Sequence, residues 1–153
     1  MNPKLIVSYN YKHIIQPDII SLMDGRLINL HISYLPWNKG SDPNFWSFIE
    51  NTPKCVTIHK IDAHLDTGEI LYQRELFFDE STETFRTTYD KLNSEIVSLF
   101  MDNWECIRDN FVSPVIQSNK GTYHRKSDFH TFVQHSPMNL DETIKSYKDK
   151  YNL

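Results

Sequence analysis

The sequence predicts an α/β fold in which a mainly parallel β-sheet is flanked by helices, followed by a C-terminal hairpin or arm. Three observations predict it: short apolar runs typical of buried strands, segments with apolar residues at helical spacing, and the alternation of the two along the chain. Alternating strands and helices favour a parallel sheet with helices on its faces. The elements amount to about half of a doubly wound fold, which normally has two βαβαβ halves.

The first three elements form a strand–helix–strand unit. The continuously apolar run from Leu5 to Tyr9 predicts a strand that is buried on both faces. Pro17 opens a short helical pattern, and Gly25 stands where a helix usually ends. Leu27 to Ile32 is a second apolar run and predicts a second buried strand.

The middle of the chain contains a loop, a helix and two more strands. A polar loop runs from Ser33 to Pro43, and the pair Asp42-Pro43 predicts a helix start with Asp42 as the capping side chain. The helix ends before Pro53, because the residue ahead of a proline avoids helical angles. The β-branched residues of 55–61 and the apolar residues of 70–78 predict strands on either side of a loop.

A long amphipathic helix is predicted from about Thr82 to Asn110, capped by Ser81 or Thr82. Its apolar residues recur at spacings of three and four: Phe85, Tyr89, Leu92, Ile96, Leu99, Phe100, Trp104 and Ile107. Beyond it the pattern dissolves into a polar segment that is either a packed arm or partly disordered. We therefore divide the chain into an α/β core over 1–117 and a hairpin and tail over 118–153.

Composition excludes several classes of function. The chain has 153 residues, a formal net charge of −4 and a pI near 5.9, which argues against a nucleic-acid partner. No apolar stretch approaches the roughly 20 residues that span a bilayer, and the N-terminus has no signal-peptide pattern. Cys55 and Cys106 form no CxxC motif, although one disulfide between them stays open. We expect a soluble protein of the cytoplasm.

Candidate catalytic residues stand at the end of the second strand. Asn29 and His31 share one side of that strand, at the sheet edge where ligands bind in open α/β sheets. An amide beside an imidazole can stabilise a developing oxyanion, whereas the alternative is that neighbouring loop backbone satisfies both. Asp66 follows in the next strand–loop–strand junction, and its carboxylate is expected to orient His31, raise its pKa and keep it protonated.

A metal site is not predicted. Four histidines invite that interpretation, namely His31, His59, His64 and His124. None of them has metal-ligand spacing such as HExxH.

Taken together, these segments resemble a known family. The stretch Asn29-Leu30-His31-Ile32-Ser33-Tyr34-Leu35-Pro36, followed by Lys39-Gly40, resembles the signature loop of the folate-dependent formyltransferases. A second block follows in the family's order, with Val56-Thr57-Ile58-His59 and then Leu65-Asp66-Thr67-Gly68. The resemblance covers roughly Lys4 to Trp104 and implies a partial Rossmann-like formyltransferase fold, with the catalytic core in 1–117.

The resemblance implies an enzyme that transfers a formyl group from N10-formyltetrahydrofolate to a primary amine without a metal. Asn29 and protonated His31 would stabilise the negative charge on the formyl oxygen, while Asp66 would hold His31 and help to remove the amine proton. Two segments, mainly through their backbone, would face the pterin of the folate. Their residues are His13, Ile14, Ile15, Ala63, His64 and Thr67.

Within the family, the sugar-nucleotide N-formyltransferases look most similar, because Trp37-Asn38-Lys39-Gly40 and Gly121 to Lys126 resemble their segments. The methionyl-tRNA branch carries an additional RNA-binding domain and a basic surface. The implied substrate is a nucleotide-linked amino-deoxy sugar, with dTDP as the suggested nucleotide. Its expected contacts are Trp37, Asn38, Lys39, Tyr123 and Arg125; alternatively, Trp37, Trp46 and Tyr123 are core or dimer-contact aromatics.

Two classes of function stay open at this point. In the family a βαβαβ half precedes the strand at Leu5, so this chain corresponds to the second half of the domain. An uncovered sheet edge would favour a homodimer or a separate partner. The first class is an active sugar N-formyltransferase, and the second is a non-catalytic ligand-binding or interaction protein of the same fold. The sequence does not select the amino sugar or the position of its amine.

Overall fold

The computed structural model describes residues 3–118 and 120–153. In chain order the elements are β1 (Ile6–Tyr9), α1 (Pro17–Met23), β2 (Leu27–His31), β3 (Lys39–Gly40), α2 (Pro43–Ile49), β4 (Lys54–Lys60), β5 (Ile70–Leu76), α3 (Phe85–Asp102), α4 (Trp104–Arg108), β6 (Tyr123–His124), α5 (Lys126–His135) and α6 (Ile144–Tyr151). None of these helices is long and apolar enough to cross a membrane.

The main sheet has four strands in the order β1-β2-β4-β5. This confirms the α/β class, but the predicted mainly parallel sheet is wrong. Only β1 and β2 pair in parallel, through the α1 crossover, whereas β2 with β4 and β4 with β5 are antiparallel. For β4 and β5 the physical reason is the short loop between Lys60 and Ile70, because a parallel return needs a crossover of about a dozen residues or more.

The two strands of the crossover unit differ in burial. Four of the five residues of β2 are buried, as expected for a strand between two neighbours. By contrast, β1 alternates between half-buried and exposed side chains, so the prediction that it is buried on both faces is wrong. In the described sheet β1 is an edge strand, and its apolar composition concealed that one face is open.

Helix α3 covers one face of the sheet. Its apolar stripe joins β2, β4 and α4 in the first core cluster, formed by Ile28, Leu30, Ile32, Val56, Ile58, Leu92, Ile96, Leu99 and Ile107. The helix starts later than predicted because Thr84 is its cap: the Thr84 side chain accepts a hydrogen bond from the Thr87 backbone. It also ends earlier, since Asn103 leaves helical geometry and separates α3 from α4.

Helix α2 begins at Pro43 as predicted, but Asp42 does not cap it with its side chain. Asp42 has a left-handed backbone (φ 54°), and its carboxylate accepts a hydrogen bond from Ser41 Oγ at 2.6 Å instead. Asp42 therefore belongs to the turn between β3 and α2. It stands in a segment that also contributes Gly40 and Ser41 to the candidate site.

The C-terminal segment packs as strand and helices rather than as a hairpin. β6 pairs in parallel with β3, and α5 and α6 follow it. Ile144 and Tyr147 of α6 are fully buried and complete the second core cluster with Phe45, Trp46, Phe48 and Phe85. The tail thus joins α2 and the start of α3 in one apolar core.

We expect Tyr147→Ala to destabilise the fold by about 3–5 kcal/mol, because it leaves a cavity against Phe45 and Phe85. Tyr147→Phe should cost only about 0.5–1.5 kcal/mol, since it loses a single hydrogen bond from the hydroxyl to the Ser136 carbonyl (2.8 Å). Urea unfolding measures both. A small effect of the alanine variant would mean that α6 is not part of the cooperative core.

Candidate active site

The second strand places an amide and an imidazole at one end of the sheet. Asn29 and His31 point to the same side of β2, which lies between β1 and β4. His31 is 7% exposed, whereas Asn29 is half-buried. Asn29 therefore remains within reach of a ligand.

Asp66 comes to these residues from the loop between β4 and β5. Its Oδ1 accepts a hydrogen bond from Asn29 Nδ2 at 3.3 Å, and its Oδ2 accepts one from the Gly40 N–H at 2.9 Å. His31 Nδ1 lies 3.7 Å from Oδ2. The structure thus brings together Asn29, His31 and Asp66, the three residues that the sequence predicts as a catalytic set.

A fourth residue, His59, belongs to the same cluster. It lies opposite Asn29 in the β2–β4 ladder, with Nε2 at 3.4 Å from both Asn29 Nδ2 and Asp66 Oδ1. The sequence indicates His59 only as one of several histidines and as part of the family block. Strand register would have placed it beside Asn29, but register is not visible in a single sequence.

Both imidazole rings have one nitrogen committed to the backbone. His31 Nε2 faces the Asn38 carbonyl at 3.2 Å, and His59 Nδ1 faces the Lys60 carbonyl at 2.7 Å. A carbonyl oxygen only accepts, so both of these nitrogens carry the proton. The other nitrogen of each ring is the one that faces Asp66, and it gains an N–H only when the ring is protonated.

Burial and charge act in opposite directions on the ionisable groups of this cluster. Burial lowers the pKa of His31, and the raising effects of Asp66 and of the Asn38 carbonyl do not offset it. The expectation of a raised pKa and a permanently protonated His31 is therefore wrong. Burial alone would raise the pKa of Asp66, but His31, His59 and the Gly40 N–H hold it well below its usual range. The resting cluster is an ionised carboxylate beside a neutral His31.

A lowered histidine pKa has a consequence for stability. Unfolding exposes His31, which then binds a proton below its ordinary pKa of about 6.5, so stability should fall as the pH drops below that value. The slope from this one group is at most about 1.4 kcal/mol per pH unit. We expect His31→Gln to flatten the profile between about pH 5 and 7, measured by urea unfolding at each pH. An equal slope in both proteins would contradict the buried neutral ring.

A cavity of about 340 Å³ opens between the loop after β1 and the loop after β4. Five of the six residues predicted to face the pterin line it, namely His13, Ile14, Ile15, Ala63 and His64. The sixth, Thr67, is not among the lining residues; its hydroxyl donates to Asp62 Oδ1 at 2.6 Å and so braces the loop. The two predicted segments therefore form one cavity.

A second cavity of about 570 Å³ lies on the other side of Asn29. It is lined by Asn29, His31 and Asp66 and by further residues that the sequence did not indicate, including Asn10, Tyr11, Lys12, Ser41, Asp42 and Tyr89. Asn29 and Asp66 line both cavities, as do Tyr11 and Leu65. The cluster therefore stands between two spaces that can hold two different molecules.

The five residues predicted to contact the sugar nucleotide do not line either cavity. Asn38 is fully buried and its amide is hydrogen-bonded within the protein, so its side chain is not free for a substrate. Trp37 is half-buried in the loop before β3. Lys39 and Tyr123 are register partners in the β3–β6 pair, and Arg125 is exposed just after it. Of these last three residues, Lys39 is half-buried, and Tyr123 and Arg125 are exposed.

The described residues, 3–118 and 120–153, contain no group of three or more His, Cys, Asp or Glu side chains arranged to hold a metal ion. Cys55 and Cys106 are both free.

The sequence profile of the formyl transferase family matches residues 1–102. The chain belongs to this family. The resemblance carried by the Asn29–Gly40 loop and the Asp66 block is thereby confirmed, and so is the predicted formyltransferase fold.

Several members of the formyl transferase family are similar to the chain. A dTDP-4-amino-4,6-dideoxyglucose formyltransferase of Mycobacterium bovis is 32% identical over 126 residues, which cover 82% of this chain and 52% of that protein. A methionyl-tRNA formyltransferase of Ehrlichia canis is 34% identical over 85% of this chain and 43% of its own length. The chain thus spans about half the length of the curated relatives that it matches.

One solved formyltransferase structure matches nearly the whole of this chain. The crystal structure of PseJ from Anoxybacillus kamchatkensis, in complex with UDP-4,6-dideoxy-4-formamido-L-AltNAc and tetrahydrofolate, superimposes with a TM-score of 0.90. The two chains are 46% identical over 95% of this chain and 77% of that one. The likeness includes the C-terminal segment, which the family profile does not reach.

Proposed function

We propose that this protein is an N-formyltransferase that moves a formyl group from N10-formyltetrahydrofolate to the primary amine of a nucleotide-linked amino-deoxy sugar. The observation that carries the proposal is the position of Asn29 and Asp66, which line both cavities. The transfer of a group between two bound molecules requires the catalytic polar groups of the protein to lie where the two molecules meet. Sugar N-formyltransferases among the relatives support the same reaction class.

The smaller cavity fits the folate. Its walls combine apolar side chains such as Ile14 and Ile20 with loop backbone at 13–15 and 61–65, and backbone groups can read the edge of a pterin. The PseJ structure contains tetrahydrofolate, which supports the assignment. N10-formyltetrahydrofolate would supply the formyl carbon that the amine attacks.

The residues of the cluster divide the chemistry between them. Asn29 would donate an amide N–H to the formyl oxygen as that oxygen becomes negative; its present hydrogen-bonding distances of 3.3 and 3.4 Å are long enough to be exchanged for a shorter one. Asp66 also lines the larger cavity of about 570 Å³, which we assign to the amino sugar, and there it meets the proton that leaves the amine. His31 Nδ1 can then hold that proton, because the charged ring donates to both Asp66 and the Asn38 carbonyl. When the bond between the formyl carbon and N10 breaks, the leaving N10 of tetrahydrofolate would take up one proton, which returns the cluster to its starting state.

Two cationic side chains and one aromatic ring are proposed to position the sugar nucleotide that accepts the formyl group. Lys39 and Arg125 are proposed to contact phosphate oxygens, and Tyr123, which is 50% exposed, is proposed to pack on the base or the sugar. The M. bovis relative is named for a dTDP-linked amino sugar, and PseJ holds a UDP-linked one. Both nucleotides therefore belong in the test.

A homodimer of the protein in the cytoplasm is part of the proposal. Val97, Met101 and Trp104 form an exposed apolar stripe at helical spacing on α3 and α4, which a second copy would cover. Light scattering after size-exclusion chromatography would give the mass in solution. A monomeric mass at micromolar concentration would remove the dimer from the proposal and leave the reaction untouched.

The experiment that tests the function is incubation with N10-formyltetrahydrofolate and a panel of dTDP- and UDP-linked 3-amino and 4-amino sugars, with mass spectrometry of the products. We expect one sugar to gain a formyl group in native protein and not in His31→Ala. No product from any sugar, in protein that still binds folate or nucleotide, would overturn the enzyme and leave a ligand-binding protein of the same fold.

A further inference from the structure

The Asn38 carbonyl, which accepts the hydrogen bond from His31 Nε2, is held by a partly buried polar network outside both cavities. Its centre is Glu50, at the C-terminal end of α2. Glu50 Oε2 accepts hydrogen bonds from Asn38 Nδ2 and from Thr122 Oγ1, both at 2.9 Å. Glu50 Oε1 lies 2.8 Å from His124 Nε2, whose ring stacks on Trp46. One carboxylate thus ties the signature loop to α2 and to β6.

Asn38 is fixed at nearly every polar atom by this network. Its Oδ1 accepts from Thr52 Oγ1 at 2.6 Å, and its backbone N–H donates to Thr122 Oγ1 at 2.9 Å. The residue is fully buried and has a left-handed backbone (φ 55°). Without Glu50 the buried Asn38 Nδ2 would keep only the long contact with Thr122 Oγ1 at 3.4 Å. An incompletely hydrogen-bonded buried amide is costly, so loss of Glu50 would favour another Asn38 conformation. The carbonyl that faces His31 Nε2 would then move with it.

The same network positions the second backbone contact of the site. β6 holds the loop on both sides of Gly40, since Lys39 N donates to the Thr122 carbonyl (3.0 Å) and Ser41 N to the His124 carbonyl (2.9 Å). Gly40 has a positive φ of 88°, and an added Cβ would lie 2.3 Å from the His124 carbonyl oxygen. This packing orients the Gly40 N–H, which donates a hydrogen bond to Asp66 Oδ2.

We propose that Glu50 is a positioning residue for formyl transfer, a role that rests on the proposed function. It lines neither of the two cavities. Through Asn38 it fixes the backbone carbonyl that keeps the His31 proton on Nε2, and through Thr122 and His124 it fixes the Gly40 N–H on Asp66. The nitrogen of His31 that faces Asp66 thereby stays available for the proton of the amine.

The test compares two substitutions at Glu50. Glu50→Leu removes both acceptor oxygens and should lower kcat by about 10- to 100-fold, with KM for the amino sugar changed by less than about threefold. Glu50→Gln keeps one oxygen for Asn38 and Thr122, and it should retain kcat within about threefold of native. A native kcat in Glu50→Leu would overturn the proposal.

Glu80→Leu is the matched control. Glu80 is also a partly exposed carboxylate (31%, against 27% for Glu50), and it pairs with Lys148 Nζ at 3.0 Å, which links it to α6. Its loss removes an ion pair between two segments of the fold without touching the signature loop, so kcat should stay native. Equal losses of kcat in Glu50→Leu and Glu80→Leu would mean general destabilisation, and this result would also overturn the positioning role.

A second readout does not depend on activity. ¹⁵N NMR of the histidine rings, with His31 assigned by His31→Gln, should show the proton on Nε2 in native protein and a mixture of tautomers in Glu50→Leu. An unchanged Nε2–H tautomer in Glu50→Leu would overturn the proposal. Absence of any formylated product from native protein is the failure of the proposed function, and the ring spectra then still decide whether Glu50 positions His31.

Discussion

Replacing Asn29 with alanine should lower kcat for formyl transfer by about 10²–10³-fold, the usual effect of losing one donor to a developing oxyanion. Asn29 lines both cavities and is half-buried, so its amide can reach a formyl oxygen held between them. The side chain touches only Asp66 and His59 within the cluster. We therefore expect KM for the amino sugar to change much less than kcat, as measured by steady-state kinetics.

Asn103→Ala is the matched control for this variant. Asn103 donates its amide to the Leu99 carbonyl (2.8 Å) at the break between α3 and α4, so it loses an asparagine hydrogen bond of similar kind outside the site. Its kcat should stay native even if its stability drops. An Asn29→Ala protein with native kcat would show that the amide does not stabilise the transition state.

The residues that the structure brings together as predicted were placed either by local pattern or by the family resemblance. Asn29 and His31 are two residues apart at the end of an apolar strand, and alternation alone puts them on one face. Asp66 lies in the next loop, where the family block placed it. The segments at 13–15 and 63–64 also meet in one cavity. The resemblance rather than the residue types predicted that cavity.

What sequence reasoning missed depends on long-range pairing. His59 joins the site because β4 runs antiparallel to β2 with His59 opposite Asn29. Asn38 was expected at a substrate, yet Glu50, Thr52 and Thr122 surround it from three separate segments. The lowered pKa of His31 arises from burial, which no local pattern shows. In each case the deciding neighbour is distant in sequence.

Two other features did leave a signal. The loop between β4 and β5 is too short for a parallel crossover, so an antiparallel pair was the better interpretation. In the polar C-terminal segment, Ile144, Tyr147 and Tyr151 recur at spacings of three and four, which is the pattern of a helix with one buried face. In the first case the alternation of strands and helices indicated a parallel sheet more strongly. In the second case the many polar residues of the segment outweighed its apolar spacing.

Asp66→Asn tests the other half of the proposed chemistry, the removal of the amine proton. Asparagine tolerates the left-handed backbone of this position (φ 54°), so the loop should keep its conformation. What changes is charge: the amide no longer attracts a proton to His31, and one of its two polar atoms becomes a donor facing other donors. We expect kcat to fall by about 10²–10⁴-fold, the range for loss of general acid–base catalysis.

The pH dependence separates this effect from damage to the fold. The pKa of Asp66 is depressed, so the stability that its charge contributes is present above its unfolded pKa of about 3.9 and is lost as the pH falls towards its folded value. The asparagine variant should lack this acid-induced loss. It should also leave His31 with a still lower pKa, because the carboxylate is the largest effect that raises it. A variant that keeps native kcat between pH 6 and 8 would show that the amine proton leaves by a route that does not involve Asp66.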